Sequence, residues 1–138
     1  MKELLIEQTR GTPGIKFSPD DREFFIRGSS FPEDVRTLYY PVLEWVKKFT
    51  REILNGEIVT FNEENPIRFQ FDLKYFHSTS AKFFFDILME FKKLPAKGIP
   101  FIVEWYYEED DPDMHEDGVD FSKLTGMEFT FIPKHTPS

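Results

Sequence analysis

The chain has no cysteine in its 138 residues, which removes disulfides, thiol catalysis and thiolate metal sites together. A reducing cytoplasm is the expected setting. Histidine is scarce, with three in all, His77, His115 and His135. No Gly-rich phosphate loop and no local Ser/His/Asp arrangement accompanies them, so no nucleophile with a base is in view. Long apolar runs are missing as well. The N-terminal Leu4-Leu5-Ile6 is cut short by Glu7, too soon for a signal peptide, and nothing approaches the ~20 apolar residues of a membrane span. Basic residues fall short of acidic ones, 17 against 25, for a formal net charge of -8. Such a surface repels phosphate backbones, so nucleic acid is not an expected partner.

What the chain has in quantity is phenylalanine, 17 residues, so aromatic packing should carry much of the core. Without internal repeat, low-complexity tract or Gly/Ser linker, the pattern predicts one domain over residues 1–132 and a tail over 133–138. Short strands are expected at 4–7 and 23–27, with Thr12-Pro13-Gly14 as an interruption between them. From Pro32 the period turns helical: Val35, Leu38, Tyr39, Val42, Trp45 or Val46, Phe49 and Ile53 recur at three- and four-residue steps. Ser30 and Asp34 are the candidate caps, Asn55-Gly56 is the stop, and Pro41 inside the pattern predicts a kink or break.

Residues 67–75 alternate apolar and polar for nine positions, a strand with one dry and one wet face. A second helix is expected over 81–93, with an apolar arc including Phe83, Phe84, Phe85, Ile87, Leu88, Met89 and Phe91 that is wider than one core face needs. Residues 101–107 read as a more central strand and 127–131 as the one that closes the sheet. The fold class is therefore α/β (α+β), a mixed sheet with helices mainly on one face. Trp45 and Trp105 fall in apolar patterns and read as core.

Two segments carry possible chemistry. The run from Glu108 to Asp117 holds most of the acid excess, and Asp111, Asp113, His115 and Asp117 alternate as ligands of a divalent metal could. It lacks a calcium-loop pattern, because Glu116 stands where the turn Gly belongs and Ser122 where the closing Glu belongs. The plain reading is a solvated turn or short helix. The second segment is the junction His77-Ser78-Thr79-Ser80, three hydroxyl residues where a helix begins. There the unpaired N–H groups and the helix dipole favour a phosphate, while the ordinary alternative is that Ser78 or Ser80 caps the helix.

Several segments in order resemble the SiaC-type biofilm-regulation phosphoproteins of bacteria. They are Thr12-Pro13-Gly14-Ile15, Gly28-Ser29-Ser30-Phe31-Pro32-Glu33-Asp34, Tyr39-Tyr40-Pro41-Val42-Leu43-Glu44-Trp45, Tyr75-Phe76-His77-Ser78-Thr79-Ser80-Ala81-Lys82 and Glu104-Trp105-Tyr106-Tyr107-Glu108-Glu109-Asp110-Asp111. The resemblance implies a STAS-like fold, as in anti-sigma-factor antagonists, and a partner switch without enzymatic activity. A dedicated Ser/Thr kinase of SiaB type would phosphorylate the protein and a PPM-type phosphatase would reverse this. The unphosphorylated form would bind and activate a diguanylate cyclase. In the family the junction usually reads Asn-Thr-Ser-Ser, with Thr the acceptor. Here Ser78 fills the acceptor column, His77 replaces Asn, and Thr79 becomes an alternative acceptor. The resemblance makes the start of the second helix the partner-facing element, with His77, Ser78, Thr79, Ser80, Lys82 and Phe83 as its residues. No cofactor or metal is implied. Two other readings stay open: a metal-dependent hydrolase using the acidic segment, and a structural homo-oligomer joined through the Phe-rich arc.

Overall fold

The computed structural model describes residues 1–135 and consists of a six-stranded sheet with three α-helices. The strands are β1 (Leu4–Ile6), β2 (Gly14–Ser18), β3 (Glu23–Ser30), β4 (Ile67–Phe76), β5 (Phe101–Glu108) and β6 (Phe129–Lys134). They lie side by side in chain order. β1, β2 and β3 form an antiparallel meander, and β3 through β6 run parallel. Each parallel step is made through a helix: α1 (Val35–Leu54), α2 (Ser78–Phe91) and α3 (Pro112–Thr125). Right-handed crossovers that all step the same way across a sheet put their helices on one face. None of the described helices is long and apolar enough to cross a membrane.

The burial pattern follows from that arrangement. Ile15, Phe17, Phe24, Ile26, Ile67, Phe69, Phe71, Val103, Trp105 and Phe129 point from the sheet into one core beneath the helices. The alternate residues form a wet mosaic of paired charges. Lys134 Nζ bonds Asp72 and lies 3.6 Å from Glu108, and the Gln70 amide donates to Glu104 Oε1 at 3.1 Å. This is the one-sided sheet expected from the alternation in β4.

Three expectations about elements need correction. β2 occupies the segment expected to be only an interruption; Gly14 to Ser18 pair with both β1 and β3. α1 runs unbroken through Pro41, because Pro41 and Thr37, whose carbonyl it leaves unpaired, both lie on the exposed side where water can serve that oxygen. Asp34 is the cap, its Oδ1 accepting from Thr37 N at 3.1 Å. β6 continues through Pro133 and Lys134, which pair with Tyr107 and Glu108, so the expected tail begins later than 133. Proline is tolerated there because β6 is an edge strand. The rest of that tail, 136–138, lies outside the described residues.

The acidic segment, expected to be a turn or short helix, forms a 14-residue helix, α3. Asp111 Oδ1 accepts from Met114 N at 3.1 Å, Pro112 opens the first turn, and Gly126 ends the helix with φ +70°. Gly118 lets α3 sit hard on the sheet, since a Cβ there would lie 2.5 Å from Trp105 Cδ1. The Trp105 indole N–H donates to the Met114 carbonyl at 2.9 Å, fixing the same contact.

Candidate functional site: the first turn of α2 and the groove beside it

β4 ends in Tyr75-Phe76, and the chain turns at once into α2. Phe76 anchors the turn by packing against Phe84, Trp105 and Phe121, with ring centroids 5.5, 6.4 and 6.0 Å away. The His77 N–H donates to the Ser30 carbonyl at 2.9 Å, tying the turn to the end of β3. His77 occupies the N-cap position in extended conformation, and no side chain caps the helix. Its ring lies against Phe31 and Tyr75, at 5.7 and 5.3 Å.

The helix begins at Ser78, three residues earlier than the pattern from 81 suggested, so all three hydroxyl residues are inside its first turn. Their fates differ. Ser80 is fully buried in a hydroxyl chain that joins three elements: Ser80 Oγ donates to the Ser30 carbonyl at 3.2 Å, Ser30 Oγ is 2.8 Å from Ser80 Oγ, and Tyr39 OH is 2.6 Å from Ser30 Oγ. Burial pushes the Tyr39 phenol up to about 12, so it remains a proton donor at any ordinary pH. Ser78 and Thr79 are exposed. The capping alternative for Ser78 and Ser80 is therefore not what the structure shows. Ser80 serves the core, and Ser78 has its hydroxyl at the surface.

Of the six residues named for partner contact, His77, Ser78, Thr79 and Lys82 present surface. Ser80 and Phe83 do not; Phe83 is stacked on Tyr39 with centroids 5.5 Å apart and is 3% exposed. They hold the turn in place from beneath. The Phe-rich arc is mostly core, since Phe83, Phe84, Ile87, Leu88 and Phe91 are all buried. α2 has α1 on one side, α3 on the other and the sheet below, which explains why its apolar arc is so wide. That leaves little of the arc as an oligomer surface.

Ser78 stands on the rim of a groove of about 400 Å³ between α2 and α3. Its floor and walls are Phe76, Ala81, Phe85, Phe121 and Leu124, with Lys82 on the α2 rim and Asp117 and Asp120 on the α3 rim. Leu124 is 70% exposed. Burial, and then the neighbouring carboxylates Asp120, Asp113, Asp111 and Glu116, push the Asp117 carboxyl up. The full length of the helix that forms the far wall of this groove was not read from the sequence. The signals were there: Asp-Pro opening a helix, Met114, Gly118, Phe121 and Thr125 at three- and four-residue steps, and a closing Gly126.

The metal reading of α3 loses its geometry. Residues two apart on a helix point to nearly opposite sides, Asp111 is used as a cap, and His115 packs between Tyr107 and Phe131 at 4.7 and 5.2 Å. Among the described residues no three His, Asp or Glu side chains come together as a metal site.

Comparison with known proteins supplies the family. The family described as "SiaC family regulatory phosphoprotein" matches residues 6–134. The chain belongs to the SiaC family. Apo-SiaC from Pseudomonas aeruginosa is similar in structure, with a TM-score of 0.77, 24% identity, and coverage of 96% of this chain and 99% of that one. A chain in the crystal structure of the diguanylate cyclase SiaD in complex with its activator SiaC, from the same organism, gives a TM-score of 0.80 at 23% identity, covering 95% and 99%. An uncharacterised protein of Pseudomonas aeruginosa strain UCBPP-PA14 is 27% identical over 108 residues, 78% of each chain. This SiaC-family chain thus has the mixed sheet and the regulatory phosphoprotein family expected from its sequence segments.

Proposed function

We propose that this SiaC-family chain is a non-enzymatic, phosphorylation-controlled adaptor of the cytoplasm, and that Ser78 is its phosphoacceptor. A Ser/Thr kinase of SiaB type transfers the γ-phosphoryl group of ATP to Ser78 Oγ. ADP leaves, and the hydroxyl proton passes to a base of the kinase. A PPM-type phosphatase returns the free hydroxyl. The unphosphorylated form binds and activates a diguanylate cyclase through the first turn of α2 and the groove beside it.

The observation that carries this reading is the position of Ser78: exposed, at the first residue of α2, on the rim of an apolar groove. Thr79, the alternative acceptor, is equally exposed but lies outside the groove lining. The neighbouring structure of SiaD with its activator SiaC supports a cyclase as the partner class. A phosphate adds about -1.5 to -2 charges. Covering that charge with an apolar partner costs several kcal/mol unless the partner brings cations, and about 1.4 kcal/mol is already tenfold in affinity.

The test compares Ser78→Ala with protein carrying phosphoserine at 78, each presented to the diguanylate cyclase of the same cell. Capture and activation by Ser78→Ala, with at least tenfold weaker capture by the phosphorylated protein, is the expected result. Equal capture by the two would refute the switch.

A further inference from the structure

Lys82 lies one helical turn after Ser78 on the same face of α2, and both side chains line the groove. In the structure its ammonium is 3.2 Å from Asp86 Oδ2, one turn further on, and 4.8 Å from the centroid of the Phe83 ring. This arrangement is the weaker of two that helix geometry allows. An acid four residues before a base is better placed than the reverse, because each charge then faces the favourable end of the dipole. The Lys82–Asp86 pair has the base first, and it sets a cation near the helix N-terminus. A phosphate on Ser78 would supply the better order, acid at 78 and base at 82. It also carries up to twice the charge of the Asp86 carboxylate.

We propose that Lys82 is the residue that reads phosphorylation of Ser78, by giving up Asp86 and pairing with the phosphate across the mouth of the groove. The proposal rests on Ser78 as the acceptor. Exchange of partners neutralises part of the new charge within the helix, so the fold tolerates the modification. It also draws the Lys82 side chain over the apolar floor that a partner would otherwise reach. One event thus changes both the charge and the shape of the groove rim. The carboxylates on the opposite helix, Asp117 and Asp120, act against the phosphate, and His77 precedes it in the chain. Lys82 is the groove-lining cation.

The test uses phosphoserine installed at position 78 during translation, so it does not depend on finding the kinase. The second ionisation of that phosphate is followed by phosphorus NMR in the otherwise unchanged protein and in Lys82→Gln, Lys82→Arg and Asp86→Asn. His77, Asp117 and Asp120 are present in all four and cancel in the differences. With Lys82 in place the phosphate pKa should be lower than in Lys82→Gln by roughly 0.3 unit. Arg should restore it, and Asp86→Asn should lower it further by removing the competing carboxylate. The same pKa in Lys82→Gln and its parent, or no restoration by Arg, overturns the proposal. Labelling by the native kinase that maps to Thr79 would instead sink the assignment of the acceptor, and the titration would still report on the pair.

Discussion

The two flanks of α2 are built differently. Against α1 the seam is closed by rings over most of its length: Tyr39 is stacked on Phe83 at 5.5 Å and set edge-on to Phe84 at 5.6 Å, while Phe49 meets Phe91 at 6.3 Å. It opens only at the far end of α2, into a groove of about 340 Å³ lined by Lys47, Arg51, Leu54, Glu90 and Lys93. Against α3 only the inner edge closes, through Phe84 and Phe121 at 6.5 Å, and the outer edge opens into the groove. Around its first turns the helix is therefore sealed towards α1 and open towards α3. The first turn repeats the division at the scale of single hydroxyls, with Ser80 sealed below and Ser78 open above. The closed flank holds the exposed Ser78 in a defined place.

Substitutions should sort by flank. The largest effect is expected for Phe84→Ala, which removes a fully buried ring in contact with Tyr39, Phe71, Phe76 and Phe121. Denaturant unfolding should show a loss of about 3–5 kcal/mol. A loss under 1 kcal/mol would mean that the ring cluster beneath α2 is not what holds it. Gly118→Ala comes next. Its new methyl would meet Trp105 at 2.5 Å, so α3 must lift from the sheet, at about 1–3 kcal/mol. Thermal melting measures it, and an unchanged midpoint would show that the seat of α3 is loose.

Smaller still is Asp117→Asn. The folded pKa of Asp117 is raised, so above that range the ionised carboxylate weighs against the folded state, and below both folded and unfolded values it does not. The amide should raise the melting temperature slightly at neutral pH. The gain should fade as pH falls through the raised folded pKa; a gain that persists in strong acid would contradict the cause assigned here. The smallest effect on the fold is expected for Leu124→Ser on the open flank, within about 0.5 kcal/mol, because the side chain is 70% exposed. The same variant should capture the cyclase less well, and unchanged capture would remove the groove from the interface.

How much of this was legible in the sequence depends on whether the signal was local. β4 announced itself by alternation, and α1 by its stripe and by Asp34 and Asn55 at its ends. β2 was hidden behind Thr12-Pro13-Gly14, and its five residues gain strand character from having partners on both sides. The hydroxyl triplet read as caps because Ser and Thr favour helix starts. That preference lost to a tertiary fact, the Ser30 and Tyr39 hydroxyls waiting for Ser80. α3 was obscured by its own acidity, which resembles a solvated turn. The groove could not be read at all, since it exists only where two helices distant in sequence, α2 and α3, stand off from each other.

The central claim is that Ser78 is the acceptor on the open side of this division. Its most direct test is peptide mapping of protein modified by the native kinase, with Ser78→Ala and Thr79→Ala treated in parallel. The account requires a single phosphate on Ser78, none on Ser78→Ala, and full modification of Thr79→Ala. A phosphate on Thr79 in the unaltered protein, or undiminished labelling of Ser78→Ala, would contradict it.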